Sequence, residues 1–184
     1  MLKNEKKIIE LGKIWMKNSV NPNHNYEHAS EVLKHSLNIL KEFEGIDRSI
    51  VEIAVWWHDA YKSRQKRNTI YAVFFEGYES SKIFEKEMKE LLDVDSIQLI
   101  SKAIFNHNIP PVILSIFGRY DTLTQILIEA DNLDSMSLSR YHNVHKSFPD
   151  WLIYVIVRMY KVYIEISCIG VRKSMYYINN FRIF

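Results

Sequence analysis

Only nine of the 184 residues are helix or strand breakers, five glycines and four prolines, where an average chain would carry ~12% of the two together. A fold made of many short strands needs a turn every few residues and far more of both. The chain is therefore read as helical, and its apolar residues bear this out by recurring at helical spacing between the few breaks.

Ile8, Ile9, Leu11, Ile14 and Trp15 line one face of a first helix over residues 4–18, and Asn21-Pro22-Asn23 stops it. A second runs from Tyr26 to Phe43 through Val32, Leu33, Leu37, Ile39 and Leu40, closed by Gly45. His28 lies one turn before Val32 and shares its buried face. Asp47 or Ser49 caps a third helix through Ile50, Ile53, Ala54, Trp57 and Tyr61, with His58 and Asp59 inside it. This helix is apolar on most sides, which places it at the centre of the core. The basic run KSRQKRN at 62–68 reads as a solvated loop or helix end. Gly77 precedes a fourth helix, Tyr78 to Leu92, and Asp95 or Ser96 opens a fifth that ends near His107. Residues 108–121 read as a long connection, followed by a sixth helix from Thr122 through Leu133 and a last one at about 150–170. The expectation is an all-α single domain over 1–184, a bundle of about seven helices with the C-terminal one packed on the rest.

Composition narrows function mainly by exclusion. Twenty-four basic against 22 acidic side chains leave a formal +2, too little to hold the chain on nucleic acid or an anionic membrane by charge alone. The longest uncharged stretch, 103–118, contains His107 and Pro110-Pro111 and is too short to span a bilayer. A lone cysteine, Cys168, forms no internal disulfide and reads as a small buried hydrophobe. The N-terminus alternates charged and apolar residues, unlike a secretory signal. Cytoplasmic location is expected.

Four groups among apolar neighbours suggest chemistry: His28, His58, Asp59 and Asp131. Adjacent helical residues project about 100° apart, so His58 and Asp59 can grip one ion only if it lies beside their helix with others closing around it. Two buried carboxylates beside two imidazoles make physical sense when a divalent cation compensates the charge. Such a mixed nitrogen and oxygen set suits Mn, Fe, Co, Ni or Zn better than calcium.

The strings NYEHASEV, AVWWHDAYK and IEADNLD, in that order, resemble the H…HD…D signature of the HD-domain superfamily of metal-dependent phosphohydrolases. The resemblance runs from about Tyr26 to Leu138 and implies a compact all-α fold around that core. It makes His28, His58, Asp59 and Asp131 the ligands of the metal, and it puts Lys62 at the lysine of HDxxK members. Glu31 stands where many members have an arginine, which alters the local ion pairing. Of the extra histidines of dinuclear members only His107 has a counterpart, while Tyr71, Glu76 and Tyr78 occupy the other region, so one divalent ion (Mn, Fe, Co, Ni, Zn or Mg) is expected. The acidic doublet of the stringent-response hydrolases is missing, because Ser63, Arg64 and Gln65 follow Lys62.

The implied activity is hydrolysis of a phosphate ester or anhydride of a small molecule, with nucleotides the leading class. Asp59 would orient or deprotonate the attacking water, and Lys62, with Arg64, Lys66 or Arg67, would offset the substrate's charge. His107 is a candidate phosphate contact, leaving-group acid or outer partner of the ion. Two alternatives stand beside this reading: a non-catalytic metal- or nucleotide-binding regulatory module on the same fold, and a diiron oxygenase, which would need more histidines. No membrane partner and no stable nucleic-acid binding are expected, and an oligomer is open. His24 and His35 read as surface or packing residues, with His35 two turns along from His28. His142 and His145 lack an evident carboxylate and read as structural. Asp134, one turn after Asp131, is better placed as a helper than as a ligand.

Overall fold

The computed structural model describes residues 4–66, 70–109 and 111–135. The expected C-terminal helix, His142, His145, Cys168 and Arg67 lie outside them. The described residues form seven α-helices: α1 (Glu5–Lys17), α2 (Tyr26–Leu40), α3 (Arg48–Trp57), α4 (Ile70–Met88), α5 (Val94–Asn106), α6 (Pro111–Ile116) and α7 (Thr122–Ser135), with a 3₁₀ turn at Lys62–Arg64. No strand occurs among them. None of the helices is long and apolar enough to cross a membrane.

The central position of α3 follows from its composition. Val51, Ile53, Ala54, Val55, Trp56 and Trp57 are all buried, and side chains of this size contribute about 1.5–3 kcal/mol each on leaving water. α1 and α2 flank α3, α5 and α7 pack against it as well, α4 pairs with α5, and α2 pairs with α7. Trp57 meets Trp15 of α1 at 5.3 Å between ring centroids, and Trp56 stacks on Tyr26 of α2 at 5.2 Å. The indole of Trp57 donates to the Ile8 carbonyl at 3.3 Å, so the large core rings also lock α1 to α3.

Several boundaries differ from the sequence reading; α2 ends at Leu40 and α4 at Met88, a few residues early. α3 ends at Trp57, and His58 and Asp59 occupy the turn that follows rather than the helix interior. Apolar spacing misses this end because Ala60 and Tyr61 continue the apolar run after the backbone has tightened, with Ala60 N–H donating to Trp57 O at 3.1 Å. Gly77 lies inside α4, which starts at Ile70. A Cβ there would sit 2.3 Å from the Phe105 carbonyl of α5, so this glycine serves close helix packing and does not mark a boundary. α5 is capped by Asp93, whose carboxylate accepts from Ser96 N–H at 2.9 Å. The expected connection at 108–121 contains α6, opened by Pro111 at the helix position that needs no N–H donor.

The loop between α1 and α2 is stitched to the chain that follows Asp59. Val20 N–H donates to Ser63 O at 2.8 Å, and the Asn21 amide to Lys62 O at 3.2 Å. The Ser19 hydroxyl lies 3.0 Å from Ser63 O and 2.7 Å from His24 O. These bonds tie the loop that leads into α2 to the turn that follows Asp59.

Candidate metal centre

His28 sits in the first turn of α2, where the Asn25 side chain accepts from its backbone N–H at 3.1 Å and opens the helix. His58 and Asp59 leave the C-terminal end of α3, and Asp131 comes from α7. Because α2 packs on both α3 and α7, the four side chains meet. His28 Nε2 is 3.2 Å from His58 Nε2, 3.0 Å from Asp59 Oδ2 and 3.3 Å from Asp131 Oδ1. His58 Nε2 is 3.3 Å from Asp59 Oδ2 and 3.9 Å from Asp131 Oδ1. His28, His58 and Asp59 are buried, while Asp131 keeps 27% of its side chain open. That leaves one side of the cluster accessible.

The hydrogen bonds at the far ring nitrogens assign the tautomers. His58 Nδ1 lies 2.7 Å from the Val55 carbonyl, which only accepts, so Nδ1 carries the proton. His28 Nδ1 lies 2.7 Å from Asp134 Oδ2 and donates to that buried carboxylate. In the neutral rings both Nε2 atoms are then lone pairs, and they face each other and two carboxylates at the distances above. Such an arrangement repels itself unless a positive charge sits among the donors. Ligand bonds of about 2.0–2.2 Å place neighbouring donors of a tetrahedral or octahedral shell roughly 3.0–3.5 Å apart, close to the spacings found here. The residues fit a divalent cation.

The electrostatics point the same way. Burial opposes a charge on His58, but the Asp59 carboxylate beside it, helped by Asp131, raises its pKa to about 9. Burial also opposes ionisation of Asp59, yet His24 and His58 hold its carboxyl well below the usual range. Asp131 is likewise lowered, by His28 and His58 against its own desolvation. Without an ion, the site balances two carboxylates by taking a proton at the very nitrogen that faces the other donors. A cation would replace that proton.

Asp134 stands where a helper was expected, holding the back of His28. His24, read from sequence as a surface or packing residue, is a correction: its Nδ1 lies 2.5 Å from Asp59 Oδ2, and its side chain is 13% exposed. Burial depresses the His24 pKa to about 4 against the pull of Asp59, so the ring is neutral and donates one N–H to that carboxylate. No periodicity could have announced this, since His24 lies in the loop before α2 and is placed by the bonds of Ser19 and Asn21.

A second cluster adjoins the first. Lys62, expected in a solvated run, is 12% exposed and its ammonium contacts Glu76 Oε2 of α4, itself buried. Glu76 Oε1 is 3.4 Å from His107 Nε2, and the His107 ring meets that of His58 edge-on at 5.2 Å. His107 Nδ1 donates to the Ile104 carbonyl at 2.6 Å, and burial pushes its pKa down to about 4, so Nε2 is a lone pair suited to accepting or ligating. Of the remaining basic residues, Arg64 stacks on Trp15 at 3.6 Å and Lys66 is exposed. His35 is half-buried on α2, and burial lowers its pKa against the weaker, opposing charge of Asp134.

No protein-family model matches the sequence, and no curated protein matches it. The structure is similar to the crystal structure of a predicted HD superfamily hydrolase from an uncultured Thermotogales bacterium. The TM-score is 0.56 at 16% sequence identity, over 94% of this chain and 92% of that one. At this identity the likeness is one of architecture: the chain has the all-helical fold of that predicted HD superfamily hydrolase.

Proposed function

We propose that the chain is a metal-dependent phosphohydrolase, a single functional unit acting in the cytoplasm on a small phosphorylated compound, with nucleotides the leading class. One divalent ion would be held by His28, His58, Asp59 and Asp131. The observation that carries this reading is the pair of imidazole Nε2 atoms 3.2 Å apart, flanked by the Asp59 and Asp131 carboxylates and open on the Asp131 side. The fold shared with a predicted hydrolase agrees with it.

A divalent ion at this position supplies Lewis acidity, lowering the pKa of water and drawing charge from phosphoryl oxygens. The protein's share is positioning. Asp59, kept ionised by its imidazole neighbours, orients the incoming water and accepts its proton as the new oxygen–phosphorus bond forms and the leaving-group bond breaks. The His24 N–H holds the Asp59 oxygen from behind, and Asp134 fixes the His28 ring. Lys62 contributes positive charge at the edge of the cluster, and His107 offers an acceptor on the far side of His58.

Elemental analysis of the purified protein, then a screen of nucleotides and aryl phosphates with Mn, Co, Ni or Mg, tests the proposal. Bound metal and turnover lost by at least about a hundredfold in a folded Asp59→Ala variant are expected, as removing one group that acts only in the transition state commonly costs that much. A protein that binds none of these ions, or whose turnover is unaffected by Asp59→Ala, would overturn it.

A further inference from the structure

We propose a second ligand site, apart from the donor cluster, that takes a small zwitterion: a free α-amino acid with an apolar side chain of leucine to phenylalanine size. It lies in a cavity bordered by α1, the 3₁₀ turn and α4.

The cavity has a volume of about 190 Å³ and an apolar lining of Leu11, Ile14 and Trp15 from α1 and Trp57 from α3. Pockets for drug-sized ligands run to ~300–1,000 Å³, so this one holds a single side chain or ring. Leu11 and Ile14 are 37% and 52% exposed, which leaves apolar surface on this wall in contact with water, and covering it is favourable. The aromatic part of the wall is set in advance. Trp15 Nε1 donates to Ala60 O at 3.0 Å and to Ser63 Oγ at 3.1 Å, and Trp57 Nε1 donates to Ile8 O. A wall held in this way loses little freedom when a ligand covers it.

Two charges on the same cavity, Arg64 and Glu87, decide the polar part of the ligand. The Arg64 guanidinium carbon lies 3.6 Å from the Trp15 ring centroid. Stacking occupies one face of the guanidinium and leaves its N–H edge for a planar anion. Both residues are exposed, and among the described residues neither forms an ion pair. A carboxylate at Arg64 and an ammonium at Glu87 satisfy the two charges together, while an apolar arm between them enters the cavity. An anion, a cation and an apolar arm branching from one carbon describe an α-amino acid. A simple organic acid would leave Glu87 without a counter-charge, and a simple amine would do the same to Arg64.

Residues 57–64 serve both places. His58 and Asp59 belong to the donor cluster and Lys62 to its neighbour, whereas Trp57, Ser63 and Arg64 line the cavity. A ligand held by Arg64 against Trp15 therefore steadies the turn that carries Lys62.

Equilibrium dialysis of the full chain against radiolabelled L-leucine and L-phenylalanine at up to millimolar concentration tests the site. Saturable binding of at least one of them, one per chain, is expected. Glycine lacks the apolar arm, L-leucinamide the carboxylate and 4-methylpentanoate the ammonium. Each should compete about tenfold more weakly than leucine, the usual effect of losing one charge-assisted contact. Arg64→Gln and Glu87→Gln, at exposed positions and shown by circular dichroism to fold, should weaken binding by a similar factor. No saturable binding of either amino acid to wild type, or undiminished binding in either folded variant, would overturn the inference. So would 4-methylpentanoate competing as well as leucine, which would mark a site for simple organic acids. The readout needs neither bound metal nor turnover, so it stands or falls independently of the proposed hydrolase.

Discussion

The useful nitrogen of His28 is held in place through its other one. Its Nδ1 bond to Asp134 at 2.7 Å sets both the tautomer and the ring angle, and Val55 does the same for His58. Supporting partners of this kind commonly account for a 10–100-fold effect on metal affinity. Asp134→Asn, which keeps size but removes the charge and half of the accepting capacity, is accordingly expected to weaken divalent-ion binding by about tenfold or more with little loss of helicity. Manganese titration of both proteins checks it, and equal affinities would show that Asp134 does not orient the ligand. Burial explains why so few groups carry this arrangement. Both imidazole rings are buried, so a single hydrogen bond behind each ring determines what faces the centre.

Helices supply the rigid edges on which these side chains sit, and their ends and contacts are open to measurement. α4 and α5 approach closely at Gly77, where an added Cβ would meet the Phe105 carbonyl at 2.3 Å and the Ile104 carbonyl at 3.1 Å. Backbone atoms cannot swing aside, so Gly77→Ala must separate the two helices, a destabilisation of about 1–3 kcal/mol by the usual cost of overpacking. Urea unfolding of the variant measures it, and an unchanged midpoint would rule out the tight contact. Glu76 immediately precedes this glycine, so the same variant should also disturb the Lys62 contact. At the start of α5, hydrogen bonds from the Ser96 N–H and hydroxyl lower the Asp93 pKa below its ordinary 3.8. A lowered pKa means stability present above 3.8 and lost as the pH falls through the folded value. Asp93→Asn still caps but does not titrate. The difference in stability between wild type and Asp93→Asn should therefore shift against wild type as the pH drops below 3.8, as thermal melts from pH 5 to pH 2.5 would record. A constant difference across that range would remove the carboxylate's role at the cap.

For the whole molecule, the proposed ion would join three elements that otherwise meet through side-chain packing: the start of α2, the end of α3 and the middle of α7. A ligand that binds only the folded state stabilises it by about 2.7 kcal/mol at a hundred times its Kd, and 1 kcal/mol moves Tm by about 2–4 °C in chains of 150–250 residues. Saturating manganese or cobalt should therefore raise Tm by about 5–10 °C, reversed by a chelator. The His58→Ala/Asp131→Ala double variant should show no such rise. A metal-induced increase that persists in that variant would place the ion elsewhere.

The ordered H…HD…D strings marked His28, His58, Asp59 and Asp131 as one candidate group, and the helical class and the central place of α3 were legible in the sequence. They rest on spacing and breaker scarcity, and a helix writes both into the chain locally. Boundaries were less legible wherever a residue could serve two purposes, as at Gly77, which reads as punctuation but acts as a close contact. The proton positions on His28 and His58, the place of His24 against Asp59, and the pairing of Lys62 with Glu76 were decided by tertiary structure alone. Each joins residues far apart in the chain or lying in loops, where no period links one partner to the other. Only the packing of α2, α3, α4, α5 and α7 brings those lone pairs and charges within reach, and in that buried space distance and hydrogen bonding determine their chemistry.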